Sequence, residues 1–438
     1  MTSATVVQGR SFARSRGALV PARLLGGPSR SDAETWVEHN SRLGGAISSA
    51  RGRHHPAQLI AMIRRAGLTG RGGAGFPAAD KLAAVRGQPR RPVVVGNGSE
   101  TEPASAKDDL LLRLRPHLVL DGLELVAATL KAERIFVVVP SALAARSVLR
   151  ALRERESESS RGPAVEVALG PTNFVGGEET ALVRWLEGLA ALPRFQPPRG
   201  FERGWRGKPT LVQNVETLAN LGLIARFGPE WFRQQGTPEE PGTCLVTLSG
   251  AFSHPGVYEV SIGMPLSELV VAAGADPSAA ALLAGGYFGS WLQPAQFPAA
   301  KVSRAGLREL GASPGAGVFH LLAPGNCVVR ESQRLVRWLA GESAGQCGPC
   351  AQGLPAMAET LERLSDPLQA TEQGVRLIAR WCAQVENRGA CRHPDGVVNL
   401  IRSTLSDFGA EVELHIRGRC SGTVSTPLPL PTDWERVV

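Results

Sequence analysis

The spacing of apolar positions changes three times along the chain. From Pro56, Leu59, Ile60 and Ile63 recur at helical spacing and the pattern stops at Gly67, which predicts a helix closed by a glycine. A glycine-dense stretch, Gly70 to Pro77, follows, and Ala78–Val85 reads as a second short helix. Val93–Val95 and Ile135–Val139 are β-branched runs of the kind buried in parallel sheets. A helical stretch at Leu118–Leu130 separates them, and another at Ala142–Arg155 follows. This alternation predicts an α/β layered unit to about residue 240. Beyond the linker-like Pro238–Pro241, strand patterns at Cys244–Leu248, Gly256–Ile262 and Val318–Leu322 surround one helix at Leu266–Ala273, which predicts a small β-grasp unit. From Arg330 only helical periodicity remains, as in Leu335, Trp338 and Leu339 and again in Val397, Leu400, Ile401, Leu405 and Phe408, so a helix bundle is expected. The expected domains are a partly flexible lead over 1–55 with a short helix near Ala33–His39, an α/β domain over 56–240, a β-grasp domain over 241–325, and a helical domain with tail over 326–438.

Composition narrows the class. The chain has 438 residues, 43% of them apolar, enough for several cores and too many for a disordered chain. No uncharged apolar run is long enough to span a membrane. Basic residues outnumber acidic ones by 48 − 40, or +8, and only Lys81, Lys107, Lys131, Lys208 and Lys301 among them are lysine. The basic residues are scattered among acids with few aromatics, a pattern of a soluble surface or an acidic protein partner and not of nucleic-acid binding. Arg10, Arg14, Arg16, Arg23 and Arg30 precede the first acid, Asp32, without the apolar core of a signal peptide. Seven cysteines are too few for a disulfide scaffold, so a reducing, cytoplasmic setting is expected.

Five segments carry candidate chemistry. Gly70, Gly72 and Gly75 satisfy G-x-G-x-x-G, with Gly73 added, but a helix and not a strand precedes them, so an ordinary dinucleotide turn is excluded. The loop is either a flexible turn or a place where backbone closely approaches something flat or anionic. At the carboxyl end of the first strand, Asn97, Glu100 and Glu102 offer an amide and two carboxylates, the candidate catalytic pair being Glu100 and Glu102, whereas Asp108 and Asp109 read as surface charge. Gly177, Glu178 and Glu179 open an apolar helix, where acids also suit the helix dipole, and Pro209–Thr217 opens another with Asn214 and Thr217 on its polar side. Cys347 and Cys350 form a C-x-x-C and Cys391 lies further on, while Cys244, Cys327, Cys382 and Cys420 stand apart. The trio suits an iron–sulfur cluster, a zinc site completed by His393, or simply buried thiols.

Together these segments resemble the flavin-bearing NADH-oxidising subunit of respiratory complex I and the related diaphorase subunits of NAD-linked hydrogenases and formate dehydrogenases. The likeness runs in order over roughly residues 56–420. Gly67 to Pro77 is similar to the family's G-L-x-G-R-G-G-A-G-F-P, with Lys81 at its lysine, and Asn97 to Pro103 to N-A-D-E-x-E-P. Gly177 to Leu182 is similar to G-E-E-T-A-L, Lys208 to Ala219 to K-P-T-x-x-N-N-V-E-T-L-A, and Glu342 to Cys350 to E-S-C-G-Q-C-x-P-C. Ser249-Gly250 and Pro255 to Val260 match the start of the family's β-grasp domain.

The resemblance implies an FMN/NADH-binding α/β domain, a β-grasp domain and a helical iron–sulfur domain. It implies that Gly70, Gly72, Gly73, Gly75, Phe76, Lys81, Asn97, Glu100, Gly177, Glu178, Glu179, Asn214 and Thr217 line the FMN and NAD(H) site, and that Cys347, Cys350 and Cys391 hold a 4Fe–4S cluster. The implied activity is an NADH dehydrogenase of the diaphorase type, passing electrons through FMN and the cluster to a protein partner, ferredoxin-like or a complex subunit. The alternative is a non-catalytic relative acting as a scaffold. The chain departs from the family pattern at six positions: Ala344 stands at the first cluster cysteine, Ser99 at an aspartate, Phe174 at a tyrosine, Gln213 at an asparagine, and Ala84 and Arg199 at aromatics that sandwich the adenine.

Overall fold

The computed structural model describes residues 22–27, 32–45, 55–156, 163–195, 198–422 and 427–431. Arg10, Arg14, Arg16 and Arg30 of the basic lead lie outside them. Where the lead is described, it is packed. The backbone N–H groups of Arg23, Leu24 and Leu25 all donate to the Glu259 carboxylate at 2.9–3.0 Å, and Leu24 is fully buried. One carboxylate collecting three successive amides fixes this segment against the strand that carries Glu259. Helix α1 (Trp36–Leu43) begins later than the apolar pattern suggests because the Thr35 hydroxyl caps it, accepting from Glu38 N.

Helix α2 (Pro56–Ala66) ends at Gly67 with φ 71°, as its glycine predicts, and α3 (Ala78–Arg86) follows the glycine loop. Four strands then form a parallel sheet: β1 (Val93–Asn97), β2 (Arg134–Val139), β3 (Val165–Leu169) and β4 (Thr210–Asn214), in the order β3-β2-β1-β4. Between them run α4 (Lys107–Leu114), α5 (Pro116–Leu130), α6 (Ala142–Glu154), α7 (Glu179–Leu186) and the single turn α8 (Gly200–Arg203). Helix α9 (Val215–Arg233) leaves β4 and packs across α5. A Cβ on Gly122 would fall 1.8 Å from the Leu218 carbonyl oxygen, so this crossing requires glycine.

Three of these elements correct the sequence expectation. Thr210–Asn214 is a strand before it is a helix entry, β3 is a half-exposed edge strand, and α4 begins at Lys107. β4 carries few strongly apolar residues and α4 opens on three charges, while β3 is a run of only five residues, Val165–Leu169, in which Glu166 interrupts the apolar positions.

The second sheet has the order β6-β5-β9-β7-β8. Strands β5 (Thr243–Gly250) and β6 (Gly256–Ser261) form an antiparallel hairpin, α10 (Leu266–Ala272) crosses, and the short β7 (Ala281–Ala284) and β8 (Ser290–Leu292) pair at the far edge. After α11 (Arg304–Arg308), β9 (Val318–Leu322) enters the centre parallel to β5. A hairpin, a helix and a returning central strand make the β-grasp arrangement.

The rest is helical: α12 (Val328–Gly341), a π-turn over Pro349–Gly353, α13 (Leu354–Ser365), α14 (Glu372–Val385), α15 (His393–Asp407) and α16 (Gly409–Ile416). Leu335, Leu339, Met357, Leu361, Ile378 and Ile401 meet in its core with no exposed surface. Among the described residues no helix is long and apolar enough to cross a membrane.

Candidate functional site

Strand β1 leads by crossovers to β2 and β3 on one side, while β4 lies on its other side. The crevice beyond the carboxyl ends of two strands at such a reversal is where open α/β sheets receive ligands. Asn97 ends β1 and Asn214 ends β4, and the two are paired in register. Asn97 Oδ1 accepts from the Ser99 hydroxyl at 2.7 Å, and Asn97 Nδ2 donates to the Gly177 carbonyl at 3.2 Å. Asn214 Oδ1 caps α9 through Glu216 N at 2.9 Å. The glycine loop lies over this crevice, pinned by Gly70 N to the Phe76 carbonyl and by Arg71 N to the Thr217 hydroxyl, both 2.9 Å.

Two adjoining cavities of about 450 and 730 Å³ open here. Gly73, Glu100, Glu102, Phe174 and Phe288 line the inner one. Gly70, Phe76, Lys81, Glu179 and Thr217 line the outer one. Gly72, Asn97, Gly177, Glu178, Asn214 and Cys391 belong to both. Gly75 is on neither wall. Its φ is 64°, and a Cβ there would sit 2.1 Å from the Arg304 guanidinium, which holds the loop by donating to the Gly73 carbonyl at 2.6 Å.

The acidic residues divide by role. Glu100, itself at φ 45°, accepts from the Ser105 hydroxyl (2.6 Å) and from Asp108 N (3.0 Å) and Asp109 N (2.8 Å), so it caps α4. Burial and the Asp108 carboxylate push its acid up to about 7. The sequence offers Glu100 as a catalytic carboxylate, and the structure places both of its oxygens on this cap. Glu102 reaches the β-grasp unit, accepting from Tyr287 N at 3.1 Å. Glu178 caps α7 through Thr180 N and Ala181 N, and burial raises its acid. Glu179 binds Lys81 Nζ at 2.5 Å, which also donates to the Val212 carbonyl. Asp108 is buried, against the expectation of surface charge, because α4 turns it inward to Asn214 Nδ2 (2.7 Å) and Lys107 Nζ (2.7 Å).

Phe195 carries no sequence signal, whereas Phe174 is the residue at the family's tyrosine. Phe174 packs edge-on against Phe288, Trp338 and His393. Phe195, 64% exposed, stands on the outer cavity with Phe76, whereas Arg199 is exposed and its backbone N–H caps its own turn on Glu202. Three buried nitrogens on the walls have no hydrogen-bond partner among the described residues: Gln213 Nε2 in the outer cavity, and Arg71 Nε and His393 Nδ1 in the inner one. They leave two donors and one acceptor for a polar ligand, so the cavities fit an FMN-like group.

Cys347, Cys350 and Cys391 come together beside the cavities. Cys350 is pushed up to about 12 by burial and by the Cys347 and Cys391 thiols, and burial also raises Cys391. Cys382 lies instead by Arg402 and Glu386, and Cys327 by Glu411 and His415, so neither supplies the ligand that Ala344 lacks. The zinc alternative through His393 fails. His393 Nε2 is bound to the Leu339 carbonyl at 2.8 Å, and among the described residues these groups do not gather at single-ion spacing. Three soft thiols suit an iron–sulfur cluster with three protein ligands.

Comparison with known proteins gives the same partition. Residues 63–222 match the Nuo51 FMN-binding domain, 245–286 the SLBB domain, and 330–415 the NADH-ubiquinone oxidoreductase-F iron-sulfur binding region. The F subunit of the NADH-quinone oxidoreductase of Streptomyces coelicolor is 30% identical over 381 residues, covering 83% of this chain and 84% of that protein. The chain belongs to the family of NADH-quinone oxidoreductase F subunits. A second relative, the F 2 subunit of the NADH-quinone oxidoreductase of Rhizobium meliloti, is 29% identical over 392 residues, 85% of this chain and 92% of that one. Among solved structures, an NAD+-reducing [NiFe]-hydrogenase in the H2-reduced state superposes with a TM-score of 0.78 at 27% identity, over 91% of this chain and 68% of that one. The chain is thus an oxidoreductase flavoprotein with an FMN-binding domain and an iron–sulfur region, and nothing in these likenesses favours the scaffold alternative.

Proposed function

We propose that the inner cavity holds FMN, that the outer cavity admits NADH, and that Cys347, Cys350 and Cys391 carry the iron–sulfur cluster that passes electrons to a protein partner. FMN, when bound, takes the electron pair of the NADH hydride and gives it up singly to a cluster. The chain's own residues bind and orient. Gly72 and Gly73 let main chain approach the ring system closely. Asn97, Asn214 and Gln213 offer amides to hydroxyls, and Lys81 supplies positive charge on the outer wall. Phe76, which the family pattern keeps, and Phe195 flank the open end, Phe195 offering a stacking face where Ala84 and Arg199 lack one.

One observation carries this reading: Cys391 lines both cavities and is also the third thiol of the cysteine trio. Flavin pocket and cluster site therefore share a residue. Membership in this family supports a multi-subunit setting, and seven unpaired cysteines support a reducing, cytoplasmic one. The test is anaerobic purification, FMN reconstitution and visible spectroscopy of the wild type and of Cys391→Ser. The wild type should show flavin bands bleached by NADH together with iron. The variant should keep the NADH-bleachable flavin and lose iron. A wild type that binds no flavin at saturating FMN sinks the proposal.

A further inference from the structure

A second cluster of metal-ligand side chains lies at the opposite end of the helical region. Cys327 precedes α12, Glu411 and His415 occupy one face of α16, and Cys420 follows that helix. Their ligand atoms all lie within 4.8 Å of one another. Cys327 Sγ is 3.4 Å from His415 Nε2 and 3.5 Å from Glu411 Oε1, and His415 Nε2 is 3.3 Å from Glu411 Oε1. A tetrahedral ion with bonds of about 2.3 Å to sulfur and 2.0–2.1 Å to nitrogen or oxygen has edges of roughly 3.5 Å between sulfur and N or O, and roughly 3.3 Å between N and O. The observed separations are those edges.

The proton arrangement points the same way. His415 Nδ1 lies 2.9 Å from the Leu364 carbonyl, which can only accept, so Nδ1 carries the hydrogen. A neutral imidazole then turns the Nε2 lone pair toward the Glu411 carboxylate. The Cys327 thiol proton can serve one of these two acceptors, whereas a cation among the four side chains would serve them all. The outer contacts are those of a metal site, with Nδ1–H on a backbone carbonyl and Glu411 Oε1 also accepting from Ser421 N at 2.9 Å. The loop after α16 closes tightly on the start of α12, since a Cβ on Gly422 would lie 2.2 Å from the Gly325 carbonyl.

We propose that Cys327, Glu411, His415 and Cys420 form a closed, four-ligand structural site for one divalent zinc ion. Two thiolates, a carboxylate and a neutral imidazole fill the coordination shell, so no position is open for substrate. On binding, both thiols release their protons. The ion ties the entry of the helical region to its exit, bracing the bundle that carries Cys347 and Cys350. This site is separate from the redox trio and does not depend on its assignment.

The test is metal analysis of the full-length protein purified from zinc-supplemented medium, with flavin, iron and sulfide measured on the same sample. The wild type should hold about one zinc per chain. Cys420→Ser should lose at least nine-tenths of it while keeping its iron. If that variant does not fold, wild type grown with cobalt supplies the answer, as tetrahedral Co²⁺ with two thiolates gives intense visible ligand-field bands and a near-ultraviolet thiolate band. Wild type free of zinc and unable to take up cobalt overturns the proposal. Zinc undiminished in folded Cys420→Ser, or iron in place of zinc at this site, also overturns it.

Discussion

Lys107 Nζ lies 2.9 Å from Glu216 Oε2, with both side chains almost wholly buried. Burial opposes the lysine charge, but the Asp108 and Glu216 carboxylates hold it well above the ordinary lysine range. Glu216 Oε1 also accepts from Leu245 N at 3.0 Å, so one carboxylate joins α4, α9 and the first strand of the β-grasp sheet. Removing the cation strands two buried carboxylates. Lys107→Met should therefore destabilise the protein by about 3–5 kcal/mol, read as a lower urea midpoint. The double variant Lys107→Met/Glu216→Gln should recover part of that loss. A single variant as stable as wild type would show that the pair contributes nothing.

Glu100 sets a pH dependence of known sign. Its folded-state acid stands near 7 against an ordinary value of 4.5, so between these values the folded chain binds more protons than the unfolded chain. The stability this group contributes is complete below pH 4.5 and is lost as pH rises through 7. The loss is roughly 3 kcal/mol at about 1.36 kcal/mol per pH unit. Glu100→Gln keeps one acceptor for the α4 cap and removes the titration. Urea unfolding at pH 5 and pH 8 should show the wild type weakening toward pH 8 and the variant nearly flat. An equal slope in both would refute the assignment.

These two residues also mark where sequence stops being legible. The glycine loop, the strand end at Asn97 and the C-x-x-C could be placed because each depends on local chain properties: φ above zero, a β-branched run, fixed thiol spacing, whereas the strand ending at Asn214 read only as a helix entry. Asp108 could not, because its burial comes from a helix whose first turn is all charge and whose partners, Asn214 and Glu216, are over a hundred residues away. Phe195 carried no pattern, since an exposed aromatic on a loop acquires meaning only from the cavity beside it. Cys327 and Cys420 stood apart in sequence and met only through the packing of α16 against the start of α12.

Gly75 offers a direct test of the loop. Its left-handed backbone and the Arg304 guanidinium against its Cα leave no room for a side chain. Gly75→Ala should cost about 1–2 kcal/mol for backbone strain alone. Displacing Arg304 also frees the Gly73 carbonyl, so FMN affinity should fall at least tenfold, measured by quenching of flavin fluorescence on titration. Because Gly75 is on neither cavity wall, weaker binding would report loop position and not a lost contact.

Ala344 stands three positions before Cys347, as Cys347 stands three before Cys350, and it is half-buried next to Gly345, whose φ of 64° turns the chain. A cysteine there would complete a C-x-x-C-x-x-C at the corner where alanine offers no ligand. With three thiolates, one iron corner is left to solvent or an outside ligand and is the first lost to oxidation and chelation. Ala344→Cys should slow the loss of iron to a chelator after brief air exposure by tenfold or more, a gain of the size that metal-site support commonly gives. Iron and sulfide assays, with the paramagnetic spectrum of the reduced protein, follow the change. If iron loss is equally slow in wild type, a group outside the cysteine trio already occupies that corner. If it is equally fast in the variant, the chain at 344 does not reach the cluster, and the three-thiolate site is complete as it stands.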